Sequence, residues 1–242
     1  MLTKAQGKYI RSLSTPAGRK AAGAFVLEGP KLLLEWLRQA PETLSMIVVA
    51  ESWAEPFPES IAPEKCFKIR DSEFESLSQF KSPPGVLAVA ILPKSPAPVA
   101  GGWTLACETI QDPGNLGTIL RIADWYGIDQ VVCTPGSADF YNAKVIQSAM
   151  GAHLRVRMIE SPLEPLLSGT SLPVYAAALS GTDLHQYAPV SEGILLIGNE
   201  SKGLSQAVLD LATHQVTIPR RGGAESLNAA VAAGILCDRL RA

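Results

Sequence analysis

WTLACETIQDPGNLGTILRIADWYGIDQVVCT, residues 103–134, contains one complete strand–helix–strand passage, and the fold class follows from it. WTLAC (103–107) and QVVCT (130–134) are short apolar runs bounded by polar or glycine-containing segments, as strands are. Between them apolar residues recur at helical spacing over 115–126, with Asn115 placed to cap the start and Gly127 to follow the end. Two strands joined through a helix run parallel, because such a connection carries the chain back to its starting edge. The rhythm continues outward through RVRMI (155–159), PVYAAA (173–178), GILLIG (193–198) and QVTI (215–218), with helical patterns at 141–150, 204–212 and 226–241. This predicts an α/β domain with a mostly parallel sheet covered by helices on both faces. Ligands of such sheets bind at loops leaving the carboxyl ends of strands, here those beginning near residues 107, 178, 198 and 218.

Upstream, PKSPAPVAGG (93–102) has three prolines, two glycines and no periodicity, and reads as a linker. Residues 1–92 give helix (2–13), strand (24–28), helix (30–39), strand (44–49), helix (71–78) and strand (85–91), a small α/β unit. The expected boundaries are therefore a first domain over 1–92, the linker, and a second domain over 103–242.

The 242 residues, 47% hydrophobic and 18% charged, suit a soluble protein with a real core. No apolar run approaches the roughly 18 residues that span a bilayer, so no membrane partner is expected. The opening MLTKAQGKYIRSLS lacks the apolar stretch of a secretion signal, which predicts a cytoplasmic protein. Cys66, Cys107, Cys133 and Cys237 lie far apart with no CxxC pair and no nearby histidines, so neither zinc nor disulfides are expected. The net charge of −2 argues against nucleic acid, but its distribution does not. Residues 1–40 hold Lys4, Lys8, Arg11, Arg19, Lys20, Lys31 and Arg38 against only Glu28 and Glu35, while the other 202 residues hold 14 basic and 21 acidic groups. A basic leading segment on an acidic body is what a local phosphate-binding face requires, and also what a solvated helix face would give.

Motifs of other enzymes are missing. Neither GxGxxG nor GxxxxGK[ST] occurs, GxSxG is absent, and His153, His185 and His214 are far apart. Trp36, Trp53, Trp103 and Trp125 form no stacking stripe and read as packing residues. What remains is three glycine-rich segments after strands, bearing Asn115 and Arg121, Asn199 and Glu200, and Ser226 and Asn228. Singly, each has a plain reading: Asn115 and Ser226 as caps, Glu200 as a surface carboxylate, Asn228 as a first-turn hydrogen-bonder, Arg121 as a snorkelling side chain. Their joint occurrence at one edge of one sheet points to a site.

DPGNLGTILRIADWYG (112–127), LLIGNESKGLS (195–205) and VTIPRRGGAESLNAAVAAGILCDRL (216–240) resemble the three ordered motifs of the SpoU, or TrmH-type, RNA 2′-O-ribose methyltransferases of the SPOUT class. YAAALSGTDL (175–184) resembles the family's cofactor-side strand and loop, and KYIRSLSTPAGRKAAGAFVLEGPKLLLEWL (8–37) is similar to the ribosomal-protein-like substrate-binding domain of many members. Ser201 departs from the pattern, since glycine is common after the motif glutamate. The resemblance implies a C-terminal trefoil knot, S-adenosyl-L-methionine as cofactor, a homodimer, structured rRNA or tRNA as substrate, and no metal. It places the cofactor's adenine against backbone near Leu179, Gly198, Ile218 and Leu227, with Asn199, Gly203 and Pro219 on the same loops. It points to Arg121 at the ribose hydroxyl, Glu200 and Asn115 as orienting partners, and Ser226 with Asn228 on the last wall. Lys8, Arg11, Arg19, Lys20 and Lys31 are the candidates for RNA contact. Two other readings stay open: a non-catalytic RNA-binding protein of this fold, and a base-methylating relative.

Overall fold

A computed structural model describes residues 2–57 and 61–241. The chain folds as two compact units: Met1–Lys94 with Tyr141–Leu154, and Ser95–Phe140 with Arg155–Ala242.

The first unit runs α1 (Lys4–Ser12), α2 (Pro16–Ala22), β1 (Ala24–Glu28), α3 (Pro30–Gln39), β2 (Leu44–Ala50), β3 (Cys66–Ile69), α4 (Asp71–Glu75) and β4 (Val86–Ile91). Its sheet has the order β1-β4-β2-β3, with β4 antiparallel to both neighbours and β3 parallel to β2. Both faces are covered, one by a cluster around Phe25, Trp36 and Ile47, the other by one around Ile10, Val26 and Phe74. Strand alternation in AFVLE sends Phe25 and Leu27 to the first cluster and Ala24 and Val26 to the second. α1 opens with a capping box: Thr3 accepts the Gln6 N–H and its own N–H donates to the Gln6 side chain. Two elements lie outside the sequence reading. α2 forms from TPAG, whose composition signals a turn, because Thr15 caps it and Pro16 suits its first position. β3 is four residues, too short to show a period.

Among the five expected RNA contacts, Lys8, Arg11, Lys20 and Lys31 are exposed. Arg19 is not: it is 2% exposed, and its Nη1 donates to the Leu13 carbonyl at 2.9 Å. It ties the α1–α2 turn together and is unavailable to a phosphate. Glu28, also buried, accepts from Ser78 Oγ (2.6 Å) and the Gln79 N–H (2.8 Å). Burial pushes its carboxyl above the ordinary value, against the opposing pull of those two donors. A raised folded-state value means stability that is full below the unfolded value and fades as pH rises through the folded one. Glu28→Gln is therefore expected to be at least as stable as the native protein at pH 7, and to lose the part of its pH dependence that native unfolding curves show above pH 4.5. Denaturant titrations from pH 4.5 to 8 measure this, and a large loss of stability at pH 7 would refute it.

The second unit contains β5 (Trp103–Cys107), α5 (Pro113–Trp125), β6 (Gln130–Cys133), β7 (Arg157–Glu160), α7 (Glu164–Ser168), β8 (Val174–Asp183), β9 (Gly193–Ile197), α8 (Gln206–Leu209), β10 (His214–Thr217) and α9 (Ala229–Leu240); α6 (Ala143–Ala149) belongs to the first unit. The sheet order is β10-β8-β9-β5-β6-β7, and every pairing is parallel. The chain first builds outward from β5 to β7, then returns to the other side of β5. The direction changes between β5 and β9, so the loops after Cys107 and Ile197 leave side by side. α5 starts at Pro113, three residues earlier than a helix capped by Asn115 would. Asp112, not Asn115, is its cap, accepting the Asn115 N–H at 2.9 Å, with Pro113 in the first position. Gly127 takes the left-handed conformation after the helix, at φ 59°. The helix expected over 204–212 is only α8, four residues long.

The helical pattern at 141–150 forms α6, but its apolar side packs in the first unit. Tyr141 lies 4.8 Å from Phe25 between ring centroids, His153 lies 5.6 Å from Tyr141, and Ile146 is buried in the cluster around Trp36.

Candidate active site

Three loops at the carboxyl edge of the second unit's sheet build the site. The loop after β9, NESKG, closes on itself: Asn199 and Gly203 exchange two backbone hydrogen bonds of 3.0 and 2.9 Å, with Gly203 at φ 70°. Asn199 Oδ1 accepts the N–H groups of Ser201 and Lys202, so Ser201 fits this turn without a glycine's freedom. Asn199 Nδ2 donates to the Thr109 carbonyl at 2.7 Å. Its side chain thus fastens two loops together, while the residue still lines the cavity described below. Gly198 is needed for a related reason. A Cβ there would collide with the backbone of Gly203 and Leu204, so a larger residue would open the loop rather than merely crowd a ligand.

Thr109 is a residue that sequence reasoning missed. It sits at φ 54°, a conformation that costs a β-branched residue on the order of 1–3 kcal/mol. Its N–H donates to Thr134 Oγ1 at 2.8 Å, and its carbonyl takes the Asn199 bond. Bonds from the β6 and β9 loops therefore hold it in place. The sequence offers no signal for this, because a threonine between a strand and a loop predicts neither a left-handed residue nor its partners.

Glu200 is the hub. Its carboxylate accepts from the Gln111 N–H (3.3 Å), the Asp112 N–H (3.2 Å) and Asn115 Nδ2 (3.0 Å). Asn115 Oδ1 in turn accepts from Asn228 Nδ2 at 2.8 Å. Asn228 caps α9, its Oδ1 taking the N–H groups of Ala230 and Val231. Residues from all three motifs are thus joined in one hydrogen-bonded line. Burial pulls the Glu200 carboxyl upward, but the Asn115 amide and the backbone N–H groups of Glu200, Asp112 and Gln111 outweigh it and hold the carboxyl below its ordinary value. A carboxylate so held is ionised at neutral pH and occupied by donors, which makes it an orienting group and a poor proton acceptor.

Beside this line lies a cavity of about 710 Å³, lined by the β9 loop, the segment 177–180 and the chain from Gln215 to Leu227. Leu179, Gly198, Asn199, Gly203, Ile218, Pro219 and Leu227 all line it, as do Glu200 and Ser226. Its shape depends on a break in the ladder between β8 and β10: Gln215 pairs with Ala176, but Val216 pairs with Thr182. Residues 177–181 are thrown out of the ladder, leaving Leu179 81% exposed at the mouth. Gly181 permits the return, since a Cβ there would strike the backbone of Gln215. The strand expected to end at 178 instead runs through this irregularity to Asp183.

Arg121 stands apart from the Glu200 line. It is exposed on α5, about 9 Å along the helix axis from Asn115, and forms no hydrogen bond or ion pair with any described residue. The expected pairing of Arg121 with Glu200 and Asn115 is not present, because those two bond to each other. Among the described residues no group of three His, Cys, Asp or Glu side chains is placed to hold a metal ion.

Comparison with known proteins agrees with this architecture. Residues 102–238 match the SpoU rRNA Methylase family, and residues 4–88 match the MRM3-like substrate binding domain. The chain is 33% identical over 238 residues to the 23S rRNA (guanosine(2553)-2′-O)-methyltransferase of Bacillus subtilis, covering 97% of this chain and 95% of that protein. The structure of a putative RNA methyltransferase of the TrmH family from Porphyromonas gingivalis superposes with a TM-score of 0.86 at 37% identity, covering 100% of this chain and 98% of that one. The fold is also that of the AdoMet-bound rRNA methyltransferase from Sinorhizobium meliloti, with a TM-score of 0.83 at 24% identity over 99% and 95% of the two chains. The two units and the parallel six-stranded sheet are thus those of one known group, and the chain belongs to the SpoU rRNA methylase family.

Proposed function

We propose that the protein methylates a ribose 2′-hydroxyl of ribosomal RNA, using S-adenosylmethionine. The observation that carries this reading is the line Asn228–Asn115–Glu200, drawn from three separate motifs and set at the edge of a cavity of small-molecule size. The cavity suits the cofactor: Leu179, Ile218 and Leu227 offer apolar walls to a purine, and closely spaced loop backbone offers groups to its polar edge. When bound there, S-adenosylmethionine supplies an electrophilic methyl group.

The chain's own residues have a different task, since a ribose hydroxyl is a weak acid and a weak nucleophile. Glu200, fixed by three donors, and Asn115 hold the first and second motif loops at a set separation, so that an entering ribose meets a rigid wall. Such alignment supplies part of the roughly 7–11 kcal/mol available from proximity. Arg121 presents a planar, permanently charged fork to the oxygen as its proton leaves, or to the adjoining phosphate. Ser226 and Asn228 close the last wall. The exposed Lys8, Arg11, Lys20 and Lys31 of the first unit provide a surface for structured RNA. The retained polar set favours an enzyme over a non-catalytic binder.

A homodimer belongs to this reading. Trp125, 83% exposed on α5, and Val231 and Ile235 on α9 give these two mutually packed helices an outward apolar face. Arg121 lies one turn from Trp125 on that face, so a second copy would approach it. The trefoil knot is proposed on the family resemblance, supported by the return of α9 from edge strand β10 to pack on α5. Such a protein acts where its RNA is, in the cytoplasm.

Calorimetry is expected to show S-adenosylmethionine binding that a chelator leaves unchanged. Transcribed, unmodified 23S rRNA is expected to acquire one 2′-O-methyl group, mapped by comparing the transcript before and after incubation with the protein and cofactor. A folded protein that binds no cofactor, or one that methylates a base, would overturn the reading.

A further inference from the structure

Positive charge gathers along the cavity on residues of the second and third motif segments to which no role has been given above. Lys202 comes from the β9 loop, Arg220 and Arg221 from the loop after β10, and all three are exposed and line the cavity. None forms an ion pair with a described residue. Arg220 Nη1 makes one 3.3 Å bond to the Ala224 carbonyl, and the side chains of Lys202 and Arg221 bond to no described residue. Arg221 acts through space on Asp183, and two carboxylates, Glu200 and Glu225, line the same cavity, the first of them already occupied by three donors.

This arrangement is unlike the rest of the second unit, where carboxylates outnumber lysines and arginines. Arg155, for example, is held by Asp124 through both carboxylate oxygens. Gly222 and Gly223 have nothing within 4 Å of where a Cβ would stand, so the arginine loop stands clear of the protein. Unpaired like charges placed together repel one another, and they are relieved by a multiply charged anion. A single carboxylate would engage one of the three. Successive phosphates of a polynucleotide would engage all of them, and a guanidinium fork matches phosphate oxygens in pairs.

We propose that Lys202, Arg220 and Arg221 form a clamp on consecutive phosphodiesters of the RNA strand that delivers the target ribose to the site. The clamp rests on the methyltransferase reading, because that reading brings an RNA strand to this mouth. It divides the labour of RNA binding between the two units: the first provides a basic surface, and the clamp grips the strand beside the reacting nucleotide.

The test is fluorescence anisotropy of a labelled, mixed-sequence 20-nucleotide RNA strand, titrated at several salt concentrations. The double variant Arg220→Ala/Arg221→Ala should bind it about tenfold more weakly at low salt, with a salt slope shallower by about 1.4 log units per log unit. The melting temperature should be unchanged, since these side chains make a single hydrogen bond to described residues, and S-adenosylmethionine affinity is measured in parallel because both arginines line the cavity. Arg220→Lys/Arg221→Lys should keep the native slope while losing part of the affinity. An unchanged slope and affinity in the alanine variant would overturn the clamp. So would a loss of cofactor affinity with RNA binding intact, which would assign the pair to the cofactor's carboxylate. Methyl transfer by the native protein is scored separately. If transfer fails while the slope changes as expected, the clamp stands and the activity reading falls; if transfer occurs but the slope does not change, only the clamp falls.

Discussion

Arg121→Ala is expected to slow single-turnover methyl transfer by about 10²–10³-fold, the loss typical of removing one donor from a developing oxyanion. The cofactor's affinity should barely change, because Arg121 is not among the residues lining the cavity. Stability should also hold, because the side chain is exposed and bonds to no described residue. That separation is what makes the variant informative. An arginine with a purely structural role would leave the rate intact. Arg121→Lys then distinguishes charge from shape, since lysine keeps a point charge and loses the fork. With Glu200 and Asn115 already bonded to each other, the proposed partner of the Arg121 fork is the RNA itself. Lysine is expected to recover little of the rate. Near-native transfer by the alanine variant on saturating RNA would remove Arg121 from the chemistry.

Trp125→Glu is expected to convert the proposed dimer into monomers. A tryptophan buries about 150–250 Å² when covered, and one at the centre of an interface commonly contributes 2 kcal/mol or more. In a twofold interface each copy loses the same contact, so the combined loss is about 4 kcal/mol, roughly a thousandfold in dissociation constant. Replacing the indole with a carboxylate adds the penalty of burying a charge. Equilibrium sedimentation at micromolar concentration reads the outcome, and Trp125→Phe should stay dimeric. Activity should fall with the dimer, since Arg121 shares the face. A native protein that sediments as a monomer, or a glutamate variant that remains dimeric, would refute the assignment of this face.

Much of this molecule is legible along the chain because its signals are local. The central strands β5, β6 and β9 appear as short apolar runs because both their faces are covered, and a strand buried on both faces has no polar alternation to blur it. The three motif segments could be placed at one edge of that sheet because parallel strands all present their carboxyl ends there. Where local signals conflict, the reading slips. Asn115 looks like a cap, but Asp112 and Pro113 take the first turn and release the Asn115 side chain for Glu200 and Asn228. Arg19 looks like one more basic surface residue, but the turn before α2 buries it against the Leu13 carbonyl.

The sequence alone determined the α/β class, the parallel sheet and the basic leading segment, since each depends on spacing or composition within a few tens of residues, while the candidate site residues were indicated by the resemblance of three motif segments. Only the tertiary structure decided how those residues are used. That Glu200 pairs with Asn115 and not Arg121, that Thr109 is held left-handed by Thr134 and Asn199, and that α6 packs beside Phe25 all depend on residues tens of positions apart. The physical reason is that a hydrogen bond or packed face across such distances is selected by the geometry of the whole sheet, whereas strand and helix patterns are selected by neighbours within a single turn or pleat.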